Sequence, residues 1–260
     1  MPPSLNILIV GDIVGKAGRR AVTYLLPQIR QSHNVNLVIA NGENAAGGKG
    51  LTPNTAEELF EAGVEIITSG NHIWQHREVY PLLDSEAPIL RPLNYPQGAP
   101  GRGVLTCKDV AVINLMGRTF MPGALDCPFR AADQALTGLG DYRLIIVDMH
   151  AETTSEKAAL AWYLDGRVSA VIGSHTHIPT VDTRLLPKGT AFVTDVGMVG
   201  PRDSILGVET GLVIDAFLSQ LPTRFNTVER GPVVFNSVLV QVDDQSGRAT
   251  GIERIDSEIA

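Results

Sequence analysis

Three short apolar runs stand out in the first 70 residues, and each suits one strand buried on both faces: residues 5–10, 36–40 and 64–69. Between the first two runs, residues 18–32 carry apolar side chains at helical spacing. Between the second and the third, Thr52 and Pro53 are typical of an N-cap and a first-turn proline, which predicts a helix to residue 62. This alternation predicts right-handed crossovers and a mostly parallel sheet covered by helices.

The pattern after residue 87 is less regular but still alternates. Residues 104–107 and 110–115 are predicted to pair as a hairpin. Further strands are predicted at residues 143–148, 168–173, 191–194, 236–242 and 251–255, and helices at 129–139 and 155–165. The chain has no repeat and no low-complexity linker, so residues 1–260 are predicted to form one α/β domain, two-layered or sandwiched, with excursions at residues 116–135 and 198–235.

Residues that can bind metal ions follow five of the predicted strands. They are Asp12, Glu43 with Asn44, Asn71 with His72, His150, and His175 with His177. Four of the six histidines lie in these positions, which a random distribution would rarely produce. Because ligands bind at the carboxyl ends of strands in open α/β sheets, we expect these side chains to form one site.

The chemistry of this set indicates two divalent ions. Carboxylate, amide and imidazole groups together suit Mn²⁺, iron, Zn²⁺ or Co²⁺ rather than Ca²⁺ alone. Two such ions, about 3.5–4 Å apart, need a bridging carboxylate, which Glu43 can provide. If strand alternation persists through the turn, His175 and His177 can reach one ion each or flank a shared pocket. The ions would hold a hydroxide at neutral pH and bind phosphoryl oxygens during in-line attack, which favours a hydrolase of phosphate esters.

The order GD, NGEN, GNH, H and GSHTH, from Gly11 to His177, is similar to the pattern of calcineurin-like metallophosphoesterases: GDxH, GDxxD, GNHE, H and GHxH. Two departures stand out, Val14 in place of a ligand histidine and Glu43-Asn44 in place of the bridging aspartate. Together with NGENAAGG, SGNHIW, RPLNYP and DVGMVG, they resemble the bacterial YmdB-like branch, described as 2′,3′-cyclic-nucleotide phosphodiesterases. This closer resemblance covers nearly the whole chain.

The resemblance implies a metallophosphoesterase-type α/β sandwich, with mixed sheets flanked by helices, and two metal ions, Fe or Mn with Zn as an alternative. The first ion would be held by Asp12, Glu43, Asn44 and His177, with Glu43 as the bridge and Asn44 in place of the histidine absent at Val14. The second would be held by Asn71, His150 and His175. His72 would be the general acid that protonates the leaving oxygen, since a histidine pKa is readily tuned near neutrality. The alternative role for His72 is a hydrogen bond to a ligand.

The composition limits the classes of partner that the protein is expected to bind. The net charge of −7 argues against a protein that binds long nucleic acid over a basic face, but bound cations would still attract a small anionic substrate. Cys107 and Cys127 form no CxxC pair and are predicted to be buried thiols. The start of the chain has no signal-peptide pattern and no apolar stretch could span a bilayer, so a cytoplasmic protein that binds no membrane is expected, by default a homo-oligomer.

Other positions carry weaker signals. Arg91, Arg118 and Arg202 lie in predicted loops and could reach a substrate phosphate, with a solvated surface position as the alternative. His33 and His76 fall on predicted helices and are interpreted as structural or solvent-facing. The glycine-rich residues 45–50 lack the spacing of a nucleotide-binding P-loop and are expected to let the backbone pass close to the metals.

Three hypotheses follow. The first is a phosphodiesterase of small cyclic nucleotides, whose substrate-binding residues the sequence does not assign. The second keeps the metal chemistry but takes phosphomonoesters or phosphoproteins, because the same ions serve both. The third is a regulatory protein that binds a nucleotide or RNA end without hydrolysis, which the altered first-metal ligands at Val14 keep open.

Overall fold

The structure is a computed structural model that describes residues 4–260. Its strands are β1 (Ser4–Val10), β2 (Asp12–Ile13), β3 (Leu37–Asn41), β4 (Ile66–Thr68), β5 (Val104–Cys107), β6 (Val110–Met116), β7 (Leu144–His150), β8 (Ala170–Ser174), β9 (Arg184–Leu185), β10 (Ala191–Val193), β11 (Met198–Pro201), β12 (Val233–Phe235), β13 (Ser237–Asp243), β14 (Ala249–Arg254) and β15 (Ser257–Ile259). Its α-helices are α1 (Gly15–Ser32), α2 (Pro53–Glu61), α3 (Tyr80–Leu83), α4 (Pro128–Leu139), α5 (Thr154–Leu164) and α6 (Thr210–Ser219), and a 3₁₀ turn covers Arg77–Val79.

The strands form three sheets. The first has the order β14-β13-β1-β3-β4, in which β1, β3 and β4 are parallel and β13 runs antiparallel to β1. The second has the order β5-β6-β7-β8-β10-β9, with β6, β7, β8 and β10 parallel. The third is a small sheet, β15-β12-β11-β2. Both large sheets therefore combine parallel and antiparallel strands, so they are mixed, as the resemblance implied.

The two large sheets face each other. Ile7 and Ile9 of β1 pack in one core with Val112 of β6 and Ile146 of β7. The alternate residues of β1, such as Leu8, pack under α1 and α2 on the outer face. The outer face of the second sheet, with residues such as Val147, packs under α4 and α5. Both faces of the central strands are buried, which explains their continuous apolar runs. The α/β sandwich flanked by helices is confirmed.

Local signals predicted several elements correctly. The Thr52 hydroxyl accepts a hydrogen bond from the Thr55 N–H at 3.3 Å and Pro53 is the first residue of α2, as predicted. β5 and β6 pair as the predicted hairpin.

The interpretation of residues 198–235 as an excursion was wrong in part, because β11 and β12 lie there and join β2 in the third sheet. Their runs of three and four residues are too short to show periodicity.

The two cysteines are less buried than predicted. Cys107 and Cys127 are half-buried rather than buried, because Cys107 lies on the outermost strand of its sheet and Cys127 just before α4. Within residues 4–260, no helix combines the length and the apolar character that a membrane crossing requires.

Candidate metal centre

All the predicted ligands lie at one edge of the sandwich. Asp12 begins β2, directly after β1, and Glu43 and Asn44 follow β3. Asn71 and His72 follow β4, His150 is the last residue of β7, and His175 and His177 follow β8. Parallel strands share the direction of their carboxyl ends, so the two facing sheets bring these residues to one place. The ligands therefore come from both halves of the fold.

Glu43, His150 and His175 form the tightest group, with one candidate ligand atom of each lying within 4.8 Å of the others. Glu43 Oε1 is 3.2 Å from His150 Nε2, and His150 Nε2 is 3.0 Å from His175 Nδ1. Glu43 and His150 are almost fully buried. Three ligand-type atoms so close together are what a cation site requires.

His150 is oriented by a chain of hydrogen bonds behind it. Its Nδ1 lies 3.0 Å from the Ser174 hydroxyl, which donates to Asp148 Oδ1 at 2.7 Å. Because the Ser174 proton goes to Asp148, the Ser174 oxygen accepts from His150 Nδ1–H, and Nε2 is left to face the site. The Asn41 amide nitrogen donates to the other carboxylate oxygen of Asp148, at 3.4 Å. These supporting residues lie inside strands and resemble ordinary strand positions, so no sequence signal identified them.

Asp12 and His177 form the other side of the group. His177 Nε2 is 4.0 Å from Asp12 Oδ1, and its Nδ1 lies 3.0 Å from the carbonyl oxygen of Leu206. A carbonyl only accepts, so Nδ1 carries the proton and Nε2 faces the site. Asp12 Oδ2 accepts the His175 backbone N–H at 3.1 Å. His150 and His177 thus each present Nε2 to a carboxylate, His150 to Glu43 and His177 to Asp12.

Asn44 lies at the centre of the predicted first-metal shell. Its amide nitrogen is 3.2 Å from Glu43 Oε1 and 3.1 Å from His177 Nε2, and its oxygen is 2.8 Å from His72 Nδ1. The amide oxygen therefore faces His72, and rotation of the amide would bring it toward Glu43 and His177. The side chain of Val14, the position of the missing histidine, lies against Gly200 and Gly207.

His72 is the most exposed of the residues around Glu43. Its backbone N–H donates to Glu43 Oε2 at 3.1 Å, and its Nδ1 is 3.2 Å from Glu43 Oε1. Its side chain is 28% exposed, whereas that of Glu43 is 1% exposed. The preceding Gly70 has no room for a side chain, because a Cβ there would overlap the His150 ring and the Glu43 carboxylate. The chain thus places the His72 side chain next to Glu43, the proposed bridging ligand, while part of that side chain stays exposed to solvent.

Two buried oxygens show that the group fits a cation. Within residues 4–260, neither Asp12 Oδ1 nor Asn71 Oδ1 has a hydrogen-bond partner, although both atoms are inaccessible to solvent. Unsatisfied buried acceptors are rare and unfavourable in proteins. Both belong to predicted ligands, and a divalent ion would satisfy them. The donor set of carboxylate, amide and imidazole groups agrees with this assignment.

Without an ion, burial and the neighbouring charges shift the pKa values of this group in opposite directions. Burial raises the pKa of Asp12 to about 6, against the lowering effect of His177 and His150. Burial also acts to raise the pKa of Glu43, but the charges and hydrogen bonds of His150 and His72 outweigh it and lower that pKa well below the usual range. Burial disfavours a charged His150, yet Glu43, Asp12 and Asp148 raise its pKa to about 9. Burial and the neighbouring His150 lower the pKa of His175 to about 3.

The turn that carries His175 and His177 is held in an unusual conformation. Both residues have positive φ, 103° and 66°, which is strained for a histidine. Between them, the N–H and hydroxyl of Thr176 donate to Asp195 Oδ2 at 3.0 and 2.8 Å. Asp195 also pairs with Lys157 of α5 at 2.7 Å, and neither side chain is more than 1% exposed. A buried ion pair therefore fixes the peptide between the two candidate ligands.

The sequence offered a partial signal for this pair. Asp195 follows β10, in the DVG segment at the end of a predicted strand, but no role was assigned to it. Lys157 shares one face of α5 with the buried residues Leu160, Ala161 and Leu164, but a lysine at such a position is not expected to be buried from the sequence alone. A buried lysine becomes recognisable only when its partner on another element is known.

The three candidate arginines separate clearly. Arg91 is buried and its guanidinium donates to the carbonyl oxygens of Pro92 and Leu93, at 2.9 and 3.1 Å. Arg202 pairs with Asp203 at 2.9 Å and with Glu258 near the third sheet. Arg118 is exposed, two residues after β6. Of the three, only Arg118 has no hydrogen bond or ion pair to its side chain within residues 4–260, and it follows the strand whose last residue, Met116, pairs with His150.

The remaining two histidines lie outside the group. His33 follows the last residue of α1, so it ends a helix instead of lying within one. His76 precedes the 3₁₀ turn rather than lying on a helix, and its Nε2 is 3.0 Å from the Lys49 carbonyl oxygen. Their structural interpretation is therefore consistent with their surroundings. In the glycine-rich segment, Gly47, Gly48 and Gly50 adopt positive φ, which supports a tight backbone turn beside Asn44.

Several known proteins are similar to this chain in sequence and fold. A protein of Bacillus subtilis (strain 168) named 2′,3′-cyclic-nucleotide 2′-phosphodiesterase is 46% identical over 256 residues, or 96% of each chain. The crystal structure of a hypothetical protein from Thermus thermophilus matches with a TM-score of 0.90 and 45% identity, over 98% of this chain and 100% of that one. The crystal structure of a novel phosphatase from Mycoplasma pneumoniae matches with a TM-score of 0.93 and 34% identity, over 99% and 95%.

A family model described as "YmdB-like protein" matches residues 8–255, which include every predicted ligand. The match spans far more than half of the chain and agrees with the resemblance inferred from the motifs. The chain belongs to the YmdB-like family.

Proposed function

We propose that this protein is a metal-dependent phosphodiesterase that hydrolyses small phosphodiesters, with 2′,3′-cyclic nucleotides as the substrate class. The observation that carries the proposal is the pair of buried oxygens on Asp12 and Asn71, which have no hydrogen-bond partner among residues 4–260, beside the group of Glu43, His150 and His175. The broader prediction of a phosphoric ester hydrolase is confirmed at the level of the family by the names of the Bacillus and Mycoplasma relatives.

The proposed ligands divide between two ions. Asp12, Glu43, Asn44 and His177 would hold the first, and Asn71, His150 and His175 the second. The position of Glu43 supports its role as the bridge, because its Oε1 lies 3.2 Å from both His150 Nε2 and the Asn44 amide. When bound, two such ions would activate water and offset the charge of the phosphate.

The chain itself orients these groups before any substrate binds. Ser174 and the Leu206 carbonyl fix which nitrogen of His150 and of His177 faces the site. Lys157 and Asp195 hold the peptide between His175 and His177. Such preorganised positions lower the cost of aligning the reacting groups.

His72 is the proposed general acid. Its Nδ1 lies 2.8 Å from Asn44 Oδ1 and 3.2 Å from Glu43 Oε1, two acceptors, so Nδ1 carries a proton and Nε2 is left for the substrate. Within residues 4–260, Nε2 has no hydrogen-bond partner, and the side chain is 28% exposed. A protonated Nε2 can therefore reach a leaving oxygen from solvent-accessible space.

The decisive experiment measures hydrolysis of 2′,3′-cyclic AMP by the purified protein after loading with Mn²⁺, Fe²⁺ or Zn²⁺, against a chelated control. We expect turnover in at least one metal, none in the control, and about two ions per chain by elemental analysis. Fewer than two ions per saturated chain would support the regulatory hypothesis and contradict the proposed centre.

The name of the Mycoplasma structure, a phosphatase, favours a second candidate, a phosphomonoesterase. A comparison of p-nitrophenyl phosphate with bis(p-nitrophenyl) phosphate on the same metal-loaded sample separates the two. Faster turnover of the monoester would overturn the diester proposal. The cytoplasmic location and the homo-oligomeric state stay predictions from the sequence.

A further inference from the structure

The turn at residues 118–121 presents an exposed aromatic ring in a strained conformation. The Met121 N–H lies 3.4 Å from the Arg118 carbonyl oxygen, and Phe120, the third residue of this turn, has a φ of 61°. Turns with positive φ at that position favour glycine, because a bulky side chain is unfavourable there. Phe120 is nevertheless 87% exposed, so burial of its ring within the chain does not offset the strain.

This turn is fixed directly beside the candidate metal centre. Met116 pairs with His150 in the sheet register, and the Gly117 N–H donates to the His150 carbonyl oxygen at 2.9 Å. Glu156, in the first turn of α5, accepts the N–H groups of Arg118 and Thr119 at 3.0 and 3.1 Å. Phe120 is three residues beyond Gly117, a reach of at most about 11 Å. That is the scale of a nucleotide measured from its phosphate to its base.

The chemistry of the turn matches one ligand class. An aromatic ring stacks on a nucleobase with little dependence on its identity, and an unpaired arginine attracts an anion. Phe120 and Arg118 provide both groups on one turn, and the Arg118 side chain has no partner within residues 4–260. A ligand that is aromatic at one end and anionic at the other fits both.

We infer that residues 118–120 form a nucleobase subsite, in which Phe120 stacks on the base of the substrate and Arg118 attracts its charge. The inference rests on the proposed phosphodiesterase function and deepens it, because it identifies what distinguishes a nucleotide from any other small diester. Glu156 is the positioning residue, since its carboxylate fixes the backbone from which Phe120 projects.

The test measures how the metal-loaded protein hydrolyses two substrates, 2′,3′-cyclic AMP and glycerol 1,2-cyclic phosphate. The second has the cyclic diester but no base. We expect Phe120→Ala and Phe120→Gly to raise KM for cyclic AMP by about tenfold or more with little change in kcat, and to leave the glycerol substrate unchanged. Phe120→Tyr should behave like the parent protein. Arg118→Gln should raise KM for both anions.

Two controls separate stacking from folding. Trp162→Ala removes a 55% exposed ring from α5, which runs away from the ligand edge, and should change neither KM. Phe120→Gly should melt at the same or a higher temperature than the parent, because glycine adopts positive φ without strain. In Phe120→Ala, a rise in KM for both substrates, or no rise for cyclic AMP, would overturn the inference.

A direct titration tests the subsite independently of turnover. Calorimetry of the metal-loaded protein with adenosine 3′-phosphate and with inorganic phosphate should show tighter binding of the nucleotide, and Phe120→Ala should remove the difference. If neither cyclic substrate is hydrolysed, the proposed function fails, but this titration still decides on the subsite. Equal affinity for the two ligands in the parent protein would sink the inference by itself.

Discussion

Replacement of Lys157 by methionine should destabilise the protein without an obvious loss of packing volume. Lys157 is fully buried, and its ammonium group donates to Asp195 at 2.7 Å. The loss of one partner from a buried ion pair costs about 3–5 kcal/mol, because the other charge remains desolvated. Asp195 keeps three donors, two from Thr176 and one from Gly197. We therefore expect the lower end of the range, about 3 kcal/mol, or roughly 6–12 °C in Tm for a chain of this size.

The assay is urea unfolding of the chelated protein, so that metal affinity does not enter the free energy of unfolding. A second substitution, Asp195→Asn in the Lys157→Met background, removes the stranded charge and should restore about 1–2 kcal/mol. Lys188→Met, at an exposed lysine, is the matched control and should lie within about 0.5 kcal/mol of the parent protein.

Metal affinity gives the second measurement on the same variants. Asp195 holds the peptide of Thr176 between two proposed ligands, so Lys157→Met should also weaken Mn²⁺ binding in a titration of the folded protein. The reasoning would be refuted by a Lys157→Met protein as stable as the parent, or by a double variant less stable than Lys157→Met alone.

Three other predictions test the centre. His72→Ala should lower kcat by about 10²–10⁴-fold with metal content intact, as expected of a general acid, and loss of metal would instead show a ligand. Asn44→Leu should lower Mn²⁺ content if its amide is a ligand, whereas full content with reduced kcat would show that Asn44 only orients His72. In the chelated protein, the raised pKa of His150, about 9, gives stability that is complete below pH ~6.5 and lost as pH rises through 9, so Tm should fall over that window. A flat Tm from pH ~6.5 to 9 would contradict that linkage.

The sequence predicted the parts of the fold whose signals are local. Strands such as β1 and β3 are buried on both faces and so appear as continuous apolar runs, and α2 begins at a clear cap at Thr52. The third sheet could not be predicted in the same way, because β2 has two residues and its partner β11 lies nearly 190 residues later. Pairing of such distant short segments depends on tertiary packing and leaves no local period.

The residues of the site also differ in whether a local sequence signal marks them. Its proposed ligands could be located because each lies at or just after the end of a predicted strand, and the structure brings them to one edge. The residues behind them could not, since Ser174 and Asp148 resemble ordinary strand positions and Lys157 an ordinary helix position. The orientation of the Asn44 amide also depends on contacts with His72 and His177 that no sequence pattern encodes.

The position of β1 between β3 and β13 has a consequence for how the chain is made. One edge of β1 is paired by residues 37–40, which leave the ribosome soon after it, but its other edge pairs with residues 237–243, which are synthesised much later. At about 5–20 residues per second, that edge stays open for some 10–50 seconds in every new chain. An apolar strand with an unpaired edge is a template for aggregation. Truncated products that end before residue 237 should therefore depend strongly on chaperones, even though they contain every proposed metal ligand.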